Sequence, residues 1–409
     1  MKKLIQIATS IVLLGWAVLP SQAAATQGAF TSVYVFGDAL STTTANTAGL
    51  DPSDGEMKDY YGGRYSNGRV WVEVLAQRLG TTVGYNLSYY DCNSADLSNN
   101  VKSFNISPSV AANTLFVVWG DNADLFDVVN AGNGDNQSAY NKVIIAGTND
   151  ELFVIKNLAA KGVQTLVMPS VVDISQVPYF SQDYTTAYLQ MMHNESIAYN
   201  LAFSNMLNVA RQACPGLTIY EPDFFSLLNT VLTNGPAYGL TNAIYEGATI
   251  DALDYYDYKN NTNGLGTNFV YWDMLDPSAK LHEIMADEAM QMVAPVRLSQ
   301  VTPLSPLSAA TATNVLTIAN VPVGLSGFVE GTTNFYQKGW AWTTMTNFTS
   351  ISPVQSIFVN SPALPPIALP GGNGPITPGG AGNQPTPTNA IPSYWQAYRL
   401  KFPLAWYWP

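Results

Sequence analysis

The chain has 409 residues and carries 17 Lys and Arg against 29 Asp and Glu, a net charge of −12 at pH 7. Too few cations are present to displace the counterions of a phosphate backbone, so no nucleic-acid partner is expected. Only 11% of the residues are charged; Asn, Thr, Ser and Tyr supply the surface polarity instead, which suits an extracellular or envelope protein.

Met1-Lys2-Lys3 is a basic start, residues 4–19 are an apolar run, and Ser21-Gln22-Ala23-Ala24 supplies small residues. These are the three regions of a signal peptide over residues 1–24. Its apolar core is too short for a confident membrane span, and no other stretch reaches the roughly 18 apolar residues that one needs. The expected location is secreted or extracytoplasmic: periplasm, outer surface or extracellular. Residues 31–36 then read as a β-strand and 70–79 as a helix. Strands follow at 83–87 and 114–119, a helix at 150–160, a strand at 164–168, a long helix at 185–213, a strand at 217–220 and a helix at 277–292. This alternation predicts an α/β fold, a parallel sheet with helices on both faces. Ligands in such sheets bind beyond the carboxyl ends of the strands. Cys92 and Cys214 would fall at opposite strand ends and are expected unpaired. His193, inside the helix 185–213, is expected away from the loops at the ligand end, and both it and His282 read as packing or surface histidines.

After residue 297 the character changes. Residues 298–361 form a small β-rich appendage with β-like pieces at 315–321, 339–347 and 355–359. Residues 362–392 are dense in Pro and Gly and read as a flexible linker. Residues 393–409 hold Tyr394, Trp395, Tyr398, Phe402, Trp406, Tyr407 and Trp408. This aromatic tail either packs back on the domain, anchors at an envelope surface or binds a partner.

Five blocks carry further information. They are Val35-Phe36-Gly37-Asp38-Ala39-Leu40-Ser41, the run from Arg64-Tyr65-Ser66-Asn67-Gly68 through Val70-Trp71-Val72-Glu73 to Ala76, Asn86-Leu87-Ser88-Tyr89-Tyr90-Asp91-Cys92, Val117-Val118-Trp119-Gly120-Asp121-Asn122-Ala123-Asp124-Leu125-Phe126, and Trp272-Asp273-Met274-Leu275-Asp276-Pro277-Ser278. Together, over residues 30–297, they resemble the GDSL or SGNH hydrolases, a family of lipases and esterases. The resemblance implies a three-layer α/β/α, flavodoxin-like, doubly wound sheet. It also implies where the catalytic groups stand, and four of those groups, at five positions, have changed. The nucleophilic Ser is replaced by Ala39. The glycines of the oxyanion block are replaced by Tyr90 and Asp91, and the oxyanion Asn by Ala123, with Asn122 one residue out of register. The acid survives as Asp273, but the general base has become Asp276.

A methyl group cannot attack a carbonyl, and the missing oxyanion donors would each contribute a few kcal/mol to the transition state. The reading is therefore a secreted pseudo-hydrolase whose cleft serves binding, of an acyl, lipid or glycan ligand, or structure. The alternatives are an active esterase or acylhydrolase with a relocated nucleophile such as Ser41, and a surface protein that assembles through its aromatic tail. No cofactor is required. The aspartates offer one more expectation: Asp91, Asp121, Asp273 and Asp276 could converge on a hard cation such as Ca²⁺. Against that, Asp276 before Pro277 reads as a helix N-cap, and Asp38 and Asp124 as framework residues.

Overall fold

The computed structural model describes residues 28–43, 60–241, 243–245, 247–255, 268–303, 311–332, 342–362 and 397–402. The leader, nearly all of the Pro/Gly-rich linker and most of the tail lie outside the described residues. The first unit alternates β1 (Ser32–Gly37), α1 (Trp71–Arg78), β2 (Val83–Ser88), α2 (Ser94–Ser103), α3 (Pro108–Ala111), β3 (Thr114–Trp119), α4 (Asp121–Asn130), α5 (Gln137–Ala160), β4 (Thr165–Val167), α6 (Pro178–Asp183), α7 (Thr186–Ala213), β5 (Thr218–Tyr220) and α8 (Phe224–Thr233). A two-stranded pair, β6 (Ile244–Tyr245) and β7 (Ala248–Thr249), then precedes α9 (Ala252–Tyr255) and α10 (Ala279–Val293).

The five strands pair in parallel in the order β2-β1-β3-β4-β5, the doubly wound arrangement expected from the alternation. All six residues of β3 are buried, as a central parallel strand covered on both faces requires. Because side chains alternate along a strand, one face carries Phe36 and Phe116, which meet Phe104 at the C-cap of α2. The other face carries Trp119, packed edge-to-face on Trp71 of α1 and on Phe224 of α8. The strand order reverses between β1 and β3, so the loops after these two strands diverge and leave a crevice.

Helix α5 begins at Gln137, well before the expected 150. The Asn136 side chain caps it by accepting from the Ser138 and Ala139 amides, and Tyr140, Ile144 and Gly147 are buried. Packing thus overrides the β-branched composition of that stretch. Gly147 is needed there, since a Cβ would lie 2.4 Å from the Tyr199 hydroxyl and 2.6 Å from Asp124 Oδ2. Both cysteines are free, Cys92 buried and Cys214 half-buried.

The second unit is an antiparallel β-structure of two three-stranded sheets. One contains β8 (Arg297–Pro303), β9 (Thr311–Ala319) and β12 (Val354–Pro362); the other contains β10 (Ser326–Thr332), β11 (Thr343–Thr349) and β13 (Ala397–Lys401). Their shared core is Leu316, Ile318, Val321, Val329, Ile357, Val359 and Phe402. Strand β10 escapes sequence inspection because Ser-Gly-Phe-Val-Glu-Gly-Thr is a poor strand former; its Glu330 is held by Arg399 and Lys401 across the sheet. Burial opposes the Glu330 charge, but the bonds from Arg399 and Lys401 hold its carboxyl below the ordinary value. Of the alternatives for residues 393–409, packing back on the domain fits the described residues 397–402. Residues 397–401 pair with β10 and Phe402 enters the core. Among the described residues no helix is long and apolar enough to cross a membrane.

Candidate functional site

The crevice at the carboxyl ends of β1 and β3 is a cleft, open at its mouth, whose wall includes Asp38, Ala39, Tyr90, Asp91, Asn122, Ala123 and Asp276. Five of the six positions to which the resemblance assigns chemistry therefore meet in one cavity. The sixth, Asp273, stands behind it. The remaining wall is apolar and comes mainly from α4, α6, α8 and α10: Phe126, Phe180, Phe224, Leu228, Leu281 and Met285. These residues lie in apolar helix faces whose convergence on the cleft only the fold reveals.

Ala39 opens a short 3-10 turn after β1, with Asp38 as its cap accepting from the Leu40 amide at 3.0 Å. The other Asp38 oxygen accepts from Asn122 Nδ2 at 3.3 Å, and Asn122 Oδ1 accepts from the Val172 amide at 3.0 Å. Asn122 thus ties the loops after β1, β3 and β4 together across the cleft floor. Burial pushes the Asp38 carboxyl up to about 7, against the bonds from Asn122 and Leu40. Ser41, the alternative nucleophile, is fully buried and outside the cleft wall. Its hydroxyl accepts from the Trp71 indole at 3.1 Å, and its carbonyl accepts from Asn86 Nδ2 at 2.9 Å. The motif's second serine is a packing group here.

Asp273 accepts from the Leu275 amide at 2.8 Å, from the Asp276 amide at 2.6 Å and from the Tyr60 hydroxyl. Burial raises its pKa while those bonds lower it. Asp276 is driven well above the ordinary carboxylate value, first by burial and then by the charge of Asp273, to which it is hydrogen-bonded. Burial and the Asp273 charge thus favour the neutral form of Asp276 where the resemblance implies an Asp–His pair. A protonated carboxyl offers its hydrogen to a ligand; it cannot relieve a hydroxyl of one. Asp276 is not the cap of α10: Ser278 is, accepting from the Leu281 amide at 3.3 Å.

The four aspartates expected to converge on a cation do not. Asp91, on the cleft mouth, is crowded by Asp127 and Asp96. Asp121, at the start of α4, is buried off the cleft against Glu151, and burial followed by mutual charge drives Glu151 well above its ordinary value. Asp273 and Asp276 form their own pair. Among the described residues no three His, Cys, Asp or Glu are placed to hold a metal ion.

The histidines divide. His282 is fully buried, accepts from the Trp71 amide at 3.3 Å, and burial lowers its pKa to about 3; it is a neutral packing group, as expected. His193 corrects the expectation that it lies away from the ligand-end loops. Its Nδ1 meets Asp173 Oδ2 at 2.6 Å in the loop after β4. Together with Ser196 Oγ on the Ile174 amide and Asn200 on both backbone groups of Val171, it clamps that loop to α7. The loop supplies Val172 to the cleft. His193, Ser196 and Asn200 share one helix face at a spacing of three and four, a signal legible only once the loop is known to lie against it.

The run from Arg64 to Ala76 is a latch on the last block. Arg64 forms a forked ion pair with Glu73, which also reaches back to the Val70 amide at 3.2 Å. Ser66 donates to the Pro277 carbonyl at 2.9 Å, and Asn67 Oδ1 accepts from the Ala279 amide at 2.7 Å. At Gly68 a Cβ would sit 2.5 Å from that of Ala279. The run thereby fixes the segment that brings Asp276 to the cleft.

The model of the GDSL-like lipase/acylhydrolase family matches residues 33–289. A phosphatidylcholine-sterol acyltransferase of Aeromonas hydrophila is 40% identical over 77 residues, 18% of this chain and 22% of that relative. Among solved structures, the lipase Lip_vut3 from a goat rumen metagenome covers 63% of this chain and 95% of its own at 9% identity and a TM-score of 0.36. A protein described as a GDSL-like lipase from Parabacteroides merdae covers 64% and 96% at 13% identity and the same TM-score of 0.36.

Proposed function

Because the chain belongs to the GDSL-like lipase/acylhydrolase family, we propose that it is an extracytoplasmic member whose cleft binds an acyl-bearing ligand without cleaving it. One observation carries this reading: the described wall of the cleft contains no Ser, Thr, Cys, His or Lys. The serine–histidine acyl transfer of this family needs a hydroxyl or thiol nucleophile and a basic partner from that set. What the wall does contain is a long apolar lining with Asp38, Asn122 and Asp276 at its floor, a combination that accepts a hydrocarbon chain and offers hydrogen bonds to a neutral polar head. The acyltransferase relative is named for a lipid substrate, which favours an acyl ligand over a glycan. The leader sequence favours export.

The test is to assay purified protein against p-nitrophenyl esters of short and long acids and against a fluorophosphonate probe, and to titrate it with long-chain fatty acids and alcohols. We expect saturable binding that Leu228→Trp abolishes, with no turnover and no labelling. Turnover removed by Ser41→Ala would replace this reading with a relocated nucleophile.

A further inference from the structure

Helices α5 and α7 are neighbours in one helical layer, with α5 between α2 and α7. They run the same way, since Asp135, just before α5, bonds Tyr188 near the start of α7, and Gly147 faces the Tyr199 hydroxyl further along. Their outer faces leave Ile145 63%, Phe153 40%, Ile197 45%, Leu201 65% and Val209 51% exposed. Large apolar groups gathered on two adjacent helices mark an interaction surface more than scattered ones do.

Two features of this face identify what covers it. First, its exposed residues read nearly the same in both directions. On α7 they run Gln190, Asn194, Ile197, Leu201, Asn205 and Asn208, amides on either side of an aliphatic pair, and the centre falls at Tyr199. On α5 they run Lys142, Ile145, Asn149, Phe153 and Lys156, centred on Asn149. Because helical side chains lean toward the amino end, Tyr199 stands roughly two residues beyond the Gly147 that its hydroxyl meets, at the level of Asn149. The two stripes therefore share one centre. A twofold axis there lays each helix antiparallel on its own copy, with Ile197 on Leu201, Ile145 on Phe153 and amide on amide. An isologous interface requires such self-complementarity; a foreign partner does not.

The second feature is charge. In a chain of net charge −12, neither helix has an exposed Asp or Glu, so the repulsion between copies is weakest on this face. Acids flank the amino ends as Asp135 and Asp183; cations stand toward the carboxyl ends as Lys156, Lys161 and Arg211, the last already paired with Glu221. Antiparallel copies bring these opposite ends together. Lys142 meets Lys156 of the copy, and long flexible stems let both ammonium groups turn to solvent. From Gln190 to Asn208 the face is about 27 Å long and two helix diameters, roughly 20 Å, wide. Two copies would bury on the order of 1,000 Å², the lower end of specific interfaces, which makes the association reversible.

We propose that α5 and α7 form a dimer interface, packed on the same two helices of a second copy about a twofold axis at Asn149 and Tyr199. The cleft wall takes no residue from either helix, so the dimer is independent of what the cleft binds.

Sedimentation velocity of the full chain across a concentration series tests this. A reversible monomer to dimer equilibrium is expected, weakened at least about tenfold by Ile197→Asp with Leu201→Asp. Ile197→Ser with Leu201→Ser serves if the aspartate pair does not fold, and melting curves check both. Cross-linking reads the geometry: in a Cys214→Ser background, a short bis-maleimide should join two copies through Asn149→Cys, on the axis, but not through Gln212→Cys, far from it. A monomer at every concentration, a dimer indifferent to both double variants, or cross-linking through Gln212→Cys in preference to Asn149→Cys would overturn the proposal. So would a chain that stays monomeric yet sediments with phosphatidylcholine vesicles through Ile197 and Leu201, since the occupant would then be a bilayer.

Discussion

At Asp91 the backbone keeps a glycine's conformation without the glycine. Its φ is +60°, in the left-handed region where a side chain costs roughly 1–2 kcal/mol, less for Asp than for most residues. Its carboxyl is pushed up by burial and by the neighbouring Asp127 and Asp96. Asp91→Gly removes both penalties, offset by the greater freedom of glycine in the unfolded chain, and should stabilise the protein by about 1 kcal/mol in denaturant titrations. Asp91→Ala, which removes the charge and keeps the strain, should gain less; an equal gain would place the whole effect in electrostatics. Restoring catalysis is harder than restoring this backbone. Ala39→Ser with Asp276→His would supply a nucleophile and a base next to Asp273, but Ala123 still leaves the oxyanion without a side-chain donor. The double variant should show at most weak esterase activity, roughly a hundredfold or more below one that also carries Ala123→Asn. The lost groups were legible because single residues replace them inside otherwise matching blocks. The upward shift of Asp276 was not, since a sequence gives neither the burial nor the closeness of Asp273 that cause it.

The latch between α1 and α10 shows what elements contribute once catalysis is set aside. Asn67 satisfies the amide of Ala279, one of the groups a helix leaves unpaired at its N-terminus. Asn67→Ala should therefore cost about 1 kcal/mol, measured by chemical unfolding. Gly68→Ala should cost more, about 1–3 kcal/mol, because the new methyl meets the Ala279 side chain at 2.5 Å and must push the segment before α1 away from the first residue of α10. If both variants proved neutral, the run from Arg64 to Ala76 would have no mechanical role. The sequence displayed this run as its longest family match, yet its partners lie more than two hundred positions away, and only the fold discloses them. The same limit explains the misassigned cap. Asp276 before Pro277 satisfies the local rule for a helix start, but its side chain is bonded to Asp273, and Ser278 caps instead. The strand reading succeeded for β1 and β3, whose residues are mostly apolar, and failed for β10, whose stability comes from its neighbours.

At the scale of the whole molecule, several acidic groups are buried, and of those with raised values only Asp287 meets a cation among the described residues, Arg78 at 3.1 Å. Burial, the largest cause in each case, raises Asp38 and Asp287 to about 7 and Asp124 to about 6, and drives Asp121, Glu151 and Asp276 well above their ordinary values. A carboxyl whose folded pKa exceeds its unfolded value binds its proton more tightly in the folded chain. Its contribution to stability is complete below the unfolded pKa, near 4, and is lost as pH rises through the folded pKa. For Asp38, Asp124 and Asp287 that window runs from about pH 4 to about pH 7 or slightly above. Repulsion within a chain of net charge −12 acts in the same direction. Glu330 has the opposite sign: its stabilisation by Arg399 and Lys401 is present above its ordinary pKa and disappears in stronger acid. The two tendencies place maximal stability in mild acid. The melting temperature should be highest near pH 5 and fall by at least about 3 °C by pH 8, the size of shift that a loss near 1 kcal/mol produces in a domain of this size. Asp38→Asn, which keeps a polar group opposite Asn122 and cannot ionise, should flatten part of that slope. A melting temperature that is level or rising between pH 5 and pH 8 would mean that these acids are ionised in the folded protein at neutral pH, and Asp276 would then face the cleft as a carboxylate, repelling a fatty-acid head and accepting from an alcohol.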